Sequence, residues 1–205
     1  FPIPLRAPKG RGKVYFEATP DYLLDPRVPA RVKEHLPDVR IIVLLRDPVE
    51  RAYSHYWHNR RLGTENLSFE DALAKEPERI GAHLERLERS WEGPTPKALL
   101  RYSYVERGRY ATQLDRWSRF VDLDRALILR SEDLYKDTDS TYQRVLSFLG
   151  LPEWRPESYR NFSYSSERPV IPPMPDDCRS RLEGEFASEV ERLGHFVGWP
   201  VHGKA

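Results

Sequence analysis

One arginine and a set of helically spaced polar residues form the most chemically suggestive pattern in this chain. Arg46 follows five branched apolar residues, and the basic and hydroxyl residues after it recur every three or four positions: Arg51, Ser54, His58 and Arg61. Side chains at that spacing share one helix face. A guanidinium can hold a phosphate with two parallel hydrogen bonds, and serine is small enough to let a ligand approach the helix. The pattern predicts an anion site, although a solvated basic face with an incidental serine has the same spacing.

The residues around Arg46 also predict the elements that position it. The apolar run Ile41–Leu45 predicts a central parallel strand that helices bury on both faces. Arg46 then lies at the carboxyl end of the strand, where open α/β sheets bind ligands. Asp47 as N-cap, Pro48 as the first helical residue and Glu50 as the third predict a well-defined helix start.

Periodicity in the rest of the chain predicts alternating strands and helices. We expect strands over residues 13–17 and 125–129, and helices over residues 28–36, 67–74, 77–91, 105–120 and 142–149. A last helix is expected to begin at Asp176. This order predicts an α/β fold with a central parallel sheet flanked by helices, in one domain spanning residues 1–205.

Composition narrows the class of protein. The chain has 205 residues, which suits one domain, and 33 Lys plus Arg against 32 Asp plus Glu, for a net charge of +1. This balance predicts no nucleic-acid or membrane partner, so any cationic site must be local. No apolar run approaches the roughly eighteen residues that cross a bilayer. Cys178 is the only cysteine, which excludes an intrachain disulfide and a thiolate metal cluster and favours a reducing cytoplasm.

The segment RDPVERAYSHYWH (46–58) resembles the 3′-phosphate-binding segment of sulfotransferases that use 3′-phosphoadenosine 5′-phosphosulfate (PAPS). Upstream, FPIP (1–4) and YFEATPDY (15–22) resemble the sulfotransferase domain of heparan sulfate N-sulfotransferases and their bacterial relatives. The likeness continues downstream in GRYATQLDRW (108–117), ALILRSEDL (126–134) and FLGL (148–151). It implies a P-loop-NTPase-like sheet and transfer of a sulfuryl group from PAPS to a hydroxyl or amine of a carbohydrate or small metabolite. It also implies that Arg46 and Ser54 hold the 3′-phosphate of PAPS and of its product PAP.

Three further residues are candidates for the site, of which Arg168 and Tyr110 are implied by the resemblance. Glu17, at the end of a predicted strand, is the acidic candidate near the acceptor, with a structural role as the alternative. Ala18 stands where many heparan-type relatives have lysine, and this departure counts against a heparan-like acceptor. Arg168 is the nearest match to an Arg/Lys-Gly element that closes on the 3′-phosphate in the resembling family. The glycine is missing here and Glu167 precedes the arginine, so a plain surface arginine is the alternative. Tyr110 matches a position near the adenine, although its apolar stripe favours core packing.

In the resembling family, a first strand, a glycine-rich phosphate loop with its lysine, and the usual glutamate base precede the segments found here. This chain begins at Phe1 and has no G-x-x-x-x-G-K pattern; the basic glycines of residues 9–13 precede a predicted strand, not a helix. We therefore expect preceding sequence, and expect residues 1–205 alone to be inactive. Golgi relatives often carry a disulfide near the carboxyl end, so its absence favours a bacterial, cytoplasmic protein.

Two other functions stay open at this point. In a P-loop kinase-like phosphotransferase, Arg46 would contact a nucleotide phosphate and Mg²⁺ would be required. A non-catalytic module that binds a nucleotide or a partner would explain the missing phosphate loop. No metal site is expected, because His55 and His58 lie three residues apart without a surrounding ligand cluster. The oligomeric state and the acceptor cannot be deduced from these residues.

Overall fold

The computed structural model describes residues 15–90, 92–159 and 170–198. In this part of the chain, the sheet has two parallel strands, β1 (Ile41–Leu45) and β2 (Ala126–Arg130). The helices are α1 (Val28–His35), α2 (Pro48–Arg61), α3 (Phe69–Arg89), α4 (Lys97–Tyr102), α5 (Tyr110–Ser118), α6 (Ser131–Lys136), α7 (Thr138–Leu149) and α8 (Asp176–Leu193). Short 3-10 turns at Glu106–Gly108 and Leu123–Arg125 precede α5 and β2.

The predicted start of α2 is confirmed. Pro48 is the first helical residue, and the Asp47 carboxylate accepts the backbone N–H of Glu50 at 2.9 Å. The negative charges of Asp47 and Glu50 also lie at the positive end of the helix dipole. Because only two residues separate β1 from α2, the position of Arg46 is set by the strand on one side and the capped helix on the other.

β1 is buried mainly on one face, so the expectation of burial on both faces is wrong. Val43 and Leu45 pack with Tyr110, whereas Ile42 and Leu44 are 42% and 48% exposed. Successive side chains of a strand point to opposite faces. Among the described helices, α6 and α7 contact the sheet chiefly through β2. The described helices therefore leave the even-numbered residues of β1 partly uncovered.

The inner face of α2 packs between α3 and α8. The apolar residues of this cluster include Val49, Ala52, Tyr53, Tyr56, Phe69, Leu182 and Phe186. The rings of Tyr53 and Tyr56 each lie 5.0 Å from the ring of Phe69. The Tyr56 hydroxyl donates to the Leu67 carbonyl at 2.9 Å, and the Tyr53 hydroxyl to that of Pro172 at 3.0 Å. Because both hydroxyls have acceptors, α2 buries two large rings without an unpaired polar group.

The helices expected over residues 67–74 and 77–91 form one helix, α3, which contains Pro77. A proline inside a helix removes one N–H donor and usually kinks or ends the helix. Here the apolar stripe Leu73, Ile80 and Leu87 is buried on both sides of Pro77. Burial of that continuous stripe outweighs the lost hydrogen bond, which is why the expected break is absent.

The strand expected over residues 13–17 is also wrong in its described part. Residues 15–17 have no regular secondary structure, and Tyr15 and Phe16 are exposed. A strand needs a neighbour to complete its hydrogen-bond ladder. No strand of the described residues lies beside this segment, since β1 pairs with β2.

The helices expected over residues 28–36 and 142–149 and from Asp176 are confirmed as α1, α7 and α8, and β2 is shifted by one residue. α7 begins four residues earlier than expected because Asp137 caps it through the N–H of Ser140 at 3.0 Å. It ends at Gly150, whose φ of 69° is the left-handed conformation that glycine adopts most readily. Each helix of the described residues is too short or too polar to cross a membrane.

Candidate anion-binding site

Arg46 lies directly after β1, as the sequence predicts, and it is exposed. Parallel pairing places Arg130, the last residue of β2, beside Leu45 at the same edge of the sheet. The carboxylate of Glu132 accepts the backbone N–H of Asp47 at 3.1 Å. This bond ties the turn after β1 to the turn after β2, so two adjacent strand ends define one side of the candidate site.

Three of the backbone N–H groups at the start of α2 already have partners. The N–H of Asp47 binds Glu132, the N–H of Glu50 binds the Asp47 carboxylate, and the N–H of Arg51 binds the Asp47 carbonyl at 2.9 Å. These internal acceptors compete with any anion for the positive end of the helix. We therefore expect an anion at this edge to be bound chiefly by side chains, with Arg46 as the exposed donor.

Arg51 points inward, which corrects the expectation of one cationic face shared with Ser54, His58 and Arg61. Its Nη2 donates to the backbone carbonyl of Tyr104, and its buried Nε has no hydrogen-bond partner among the described residues. Burial lowers the pKa of the Arg51 guanidinium, and the positive charges of Arg107 and Arg46 lower it further. His58 and Arg61, in the second half of α2, are exposed. The cations of α2 are therefore divided between the interior and the surface.

Glu76 and the 3-10 turn beside α2 were missed by the sequence reasoning. The Glu76 carboxylate accepts the backbone N–H groups of Val105 at 2.7 Å and Glu106 at 2.8 Å. Burial raises the pKa of Glu76 to about 7, although these two donors and the charge of Arg51 oppose the rise. A charged residue on the stripe that also contains Ala72 and Ile80 was the available signal, because buried carboxylates require partners.

Tyr110 begins α5 and is buried with Leu45, Leu114 and Ile128. Burial raises the pKa of its hydroxyl, and the charge of Arg51 and the backbone of Arg46 oppose that rise. The side chain is thus part of the packed core, as its apolar stripe favours, with its hydroxyl within the electrostatic reach of the Arg46 turn. An adenine contact for Tyr110 stays a prediction.

Ser54 lies on α2 six residues after Pro48 and is partly exposed. At 1.5 Å per residue, it stands about 9 Å along the helix axis from the capped end. Convergence of its hydroxyl with the Arg46 guanidinium on one phosphate stays a prediction. Arg168, the further basic candidate, lies outside the described residues.

Glu17 is exposed and does not end a strand, but its carboxylate has a defined neighbour. The Thr19 hydroxyl donates to its Oε1 at 2.5 Å. Burial raises the pKa of Tyr22, and a hydrogen bond to Glu17 adds to the rise. Two hydroxyl-bearing side chains thus contact a carboxylate that solvent can reach, and a catalytic role for Glu17 stays a prediction.

His55 is a buried neutral ring, not an exposed ligand. Burial lowers the pKa of His55 to about 3, and the charges of Arg51 and Arg107 add to the lowering. Its ring lies 5.1 Å from that of Tyr104 in an edge-to-face arrangement. Among the described residues, no three His, Cys, Asp or Glu side chains lie together in a way that could hold a metal ion.

A family model for the sulfotransferase domain matches residues 25–169, which are more than half of the chain. The chain belongs to the sulfotransferase domain family. The matched range includes Arg46, Ser54, Tyr110 and Arg168, whereas Glu17 lies before it. The family resemblance of the Arg46 segment is thereby confirmed.

Three relatives show how far this likeness extends. Human heparan sulfate glucosamine 3-O-sulfotransferase 6 is 30% identical over 174 residues, which are 85% of this chain and 46% of the human protein. Bifunctional heparan sulfate N-deacetylase/N-sulfotransferase 1 of Caenorhabditis elegans is 23% identical over 201 residues, 90% of this chain and 22% of that protein. The crystal structure of a sulfotransferase from Alicyclobacillus acidocaldarius superposes with a TM-score of 0.64 at 30% identity, covering 85% of this chain and 61% of that one.

The chain spans less than half the length of the human and nematode relatives. Together with the crystal structure, they confirm the fold class at the level of a sulfotransferase fold with helices around a small parallel sheet. The shared region includes the strand, turn and helix that carry Arg46 and Ser54.

Proposed function

We propose that the protein containing this chain transfers a sulfuryl group from PAPS to a hydroxyl or amine of a carbohydrate or small metabolite. The observation that carries the proposal is the exposed Arg46 at the carboxyl end of β1, next to the capped start of α2, in a chain of the sulfotransferase domain family. The P-loop-NTPase-like architecture of the whole protein belongs to the same proposal. PAPS as the sulfuryl donor is also part of the proposal. The family's name specifies sulfuryl transfer, and the resemblance of the Arg46 segment implies PAPS.

The electrostatics at the strand edge support an anionic ligand. Arg46, Arg51 and Arg107 are close enough for Arg46 and Arg107 to lower the pKa of Arg51. The hydrogen-bonded acceptor of Arg51 is a neutral carbonyl, that of Tyr104, although the charge of Glu76 opposes the lowering of its pKa. Arg107 is paired with Asp21, so Arg46 is the exposed cation of the three. A dianionic phosphate beside Arg46 would reduce this repulsion. These hydrogen-bond donors therefore fit the 3′-phosphate of PAPS: Arg46 would donate two parallel hydrogen bonds, and the Ser54 hydroxyl would donate one.

In sulfuryl transfer, PAPS supplies the SO₃ group and the bisphosphate is the leaving group. The residues of this chain position the donor and remove a proton. Arg46 and Ser54 orient the nucleotide, and such positioning, together with stabilisation of charge, supplies most of the rate enhancement in the analogous phosphoryl transfers. Glu17 is our candidate to accept the proton that the acceptor hydroxyl or amine releases.

A carbohydrate acceptor is favoured by the relatives, whose names specify heparan sulfate and its glucosamine. Ala18 follows Glu17 where many heparan-type relatives have lysine, so we place the acceptor in the broader class of carbohydrates and small metabolites. Radiolabelled PAPS and a panel of desulfated heparan sulfate, amino sugars and simple phenols test this class directly. Transfer in excess chelator supports a sulfotransferase, whereas transfer from ATP that requires Mg²⁺ would replace it with a phosphotransferase.

The donor site is tested by calorimetric titration of the full-length protein with adenosine 3′,5′-bisphosphate. Arg46→Ala is expected to weaken binding by about 2–4 kcal/mol, the scale of a lost pair of charged hydrogen bonds, or roughly 30- to 700-fold in Kd. Arg61→Ala, at the exposed far end of the same helix, is the matched control and should leave Kd nearly unchanged. An equal effect of Arg46→Ala on adenosine 5′-phosphate would show that Arg46 does not bind the 3′-phosphate.

A further inference from the structure

One ion pair joins the segment that carries Glu17 to the elements around Arg46. Nη1 of Arg107 lies 2.7 Å from Oδ1 of Asp21. The Asp21 side chain is 30% exposed and that of Arg107 17%, so the pair is only partly screened by solvent. The two residues are 86 positions apart in the chain. Their contact is therefore a tertiary connection, not a product of local helix spacing.

The Arg107 end of this pair is held firmly. Arg107 lies in the 3-10 turn Glu106–Gly108, whose preceding backbone N–H groups are bound by Glu76. A Cβ on Gly108 would lie 2.7 Å from the ring of Phe186 and 3.3 Å from Pro48, so the turn is packed tightly against the first residue of α2. The backbone of Arg107 is thus fixed relative to the turn that presents Arg46.

The Asp21 end is connected to Glu17 through a short hydrogen-bonded turn. The Asp21 carbonyl accepts the N–H groups of Leu24 at 3.2 Å and Asp25 at 3.1 Å. The carbonyl of Thr19 accepts the N–H of Tyr22 at 3.2 Å, and the Thr19 hydroxyl binds Glu17. Since only three residues separate Glu17 from Asp21, we expect a displacement of Asp21 to move the Glu17 carboxylate as well.

We propose that Arg107 is a positioning residue, whose ion pair with Asp21 holds the Glu17 segment in register with the phosphate-binding turn at Arg46. The proposal rests on the proposed function, since it takes Glu17 and Arg46 as the acceptor and donor sides of the transfer. Arg107 contacts neither reacting partner in this scheme. Its effect is on distance and orientation, to which group transfer is sensitive: a displacement of about 1 Å can lower the rate by roughly a hundredfold.

The test compares Arg107→Gln, Asp21→Asn and the double variant in the full-length protein, with PAPS and the best acceptor of the panel above. Each single variant should lower kcat by about 10- to 100-fold. The Kd of adenosine 3′,5′-bisphosphate, measured by calorimetry, should change by less than about threefold, because the pair does not touch the donor site. The double variant should be no slower than the slower single variant, since both changes remove the same interaction.

Arg109→Gln is the matched control. Arg109 follows the same 3-10 turn and is also ion-paired, but its partners are Glu106 and Glu185 of α8. We expect its kcat to stay within about twofold of the wild type. Hydrogen exchange of the amides of residues 22–25 provides a second measurement, and Arg107→Gln should accelerate it while Arg109→Gln does not.

The outcomes separate the two proposals. If the wild type transfers the sulfuryl group and Arg107→Gln keeps its kcat, the positioning role is wrong while the function stands. A loss of kcat in Arg109→Gln as large as that in Arg107→Gln, or additive losses in the double variant, would also overturn the role. If the wild type binds no adenosine 3′,5′-bisphosphate and transfers nothing from PAPS, the proposed function fails, and the positioning role fails with it.

Discussion

Replacing Glu76 by glutamine is expected to remove a pH dependence of stability that the wild type has. Glu76 is 3% exposed, and its carboxylate accepts the N–H groups of Val105 and Glu106. Burial raises its pKa from the ordinary 4.5 to about 7, against the effect of the two N–H donors and Arg51. Glutamine has nearly the same volume and keeps one acceptor oxygen, but it cannot ionise.

The direction and size of this change in the free energy of unfolding follow from how many protons the folded and unfolded chains bind. Between pH 4.5 and about pH 7 the unfolded chain has released the Glu76 proton while the folded chain retains it. Stability is therefore greatest below pH 4.5 and falls as the pH rises to about 7. Each pH unit costs about 1.4 kcal/mol, so the loss across the window is about 3 kcal/mol. The glutamine variant lacks this loss. The cost of its missing acceptor oxygen is the same at every pH, so it does not affect the comparison.

Urea unfolding of both proteins at four pH values from 4.5 to 7.5 measures the effect. The difference in free energy of unfolding, wild type minus Glu76→Gln, should fall by about 3 kcal/mol as the pH rises. Glu85→Gln, at an exposed position on the same helix, is the control and should differ from the wild type by less than about 0.5 kcal/mol. A difference that stays flat, or that grows with pH, would show that the ionised carboxylate suits its two N–H donors and would refute the reasoning.

Three other outcomes are expected. Gly108→Ala should destabilise the protein by about 1–3 kcal/mol in urea unfolding, because the added methyl group would lie 2.7 Å from the Phe186 ring. Gly184→Ala has no described neighbour within 4 Å of the added methyl group, so it should stabilise α8 by roughly 0.5–1 kcal/mol. Equal effects at the two glycines would contradict this. Asp47→Ala should cost about 1 kcal/mol in thermal unfolding, since it removes the cap of α2; an unchanged Tm would show that the cap is not needed. The ring signals of His55, whose pKa is about 3, should not titrate between pH 5 and 8 in NMR spectra, and a midpoint near 6.5 would contradict its burial.

Much of the donor side could be predicted because its signals are local. A run of apolar residues, an Asp-Pro cap and a helical repeat each depend on neighbours within a few positions, and the strand, turn and helix around Arg46 are confirmed. The strand expected over residues 13–17 is wrong in its described part, because residues 15–17 join no hydrogen-bond ladder with β1 or β2. The break at Pro77 is wrong because burial of a continuous apolar stripe outweighs one missing hydrogen bond.

The sequence by itself determined the local elements around Arg46 and the family. These elements are a strand that ends at the arginine and a capped helix that carries Ser54. Only the tertiary structure decided that Arg51 turns inward, that Glu76 holds the 3-10 turn, and that Arg107 pairs with Asp21. The physical reason is that caps and periodicity are set by residues within one or two helical turns. The partner of a buried charge, in contrast, comes from whichever distant segment the folded core brings within hydrogen-bonding distance.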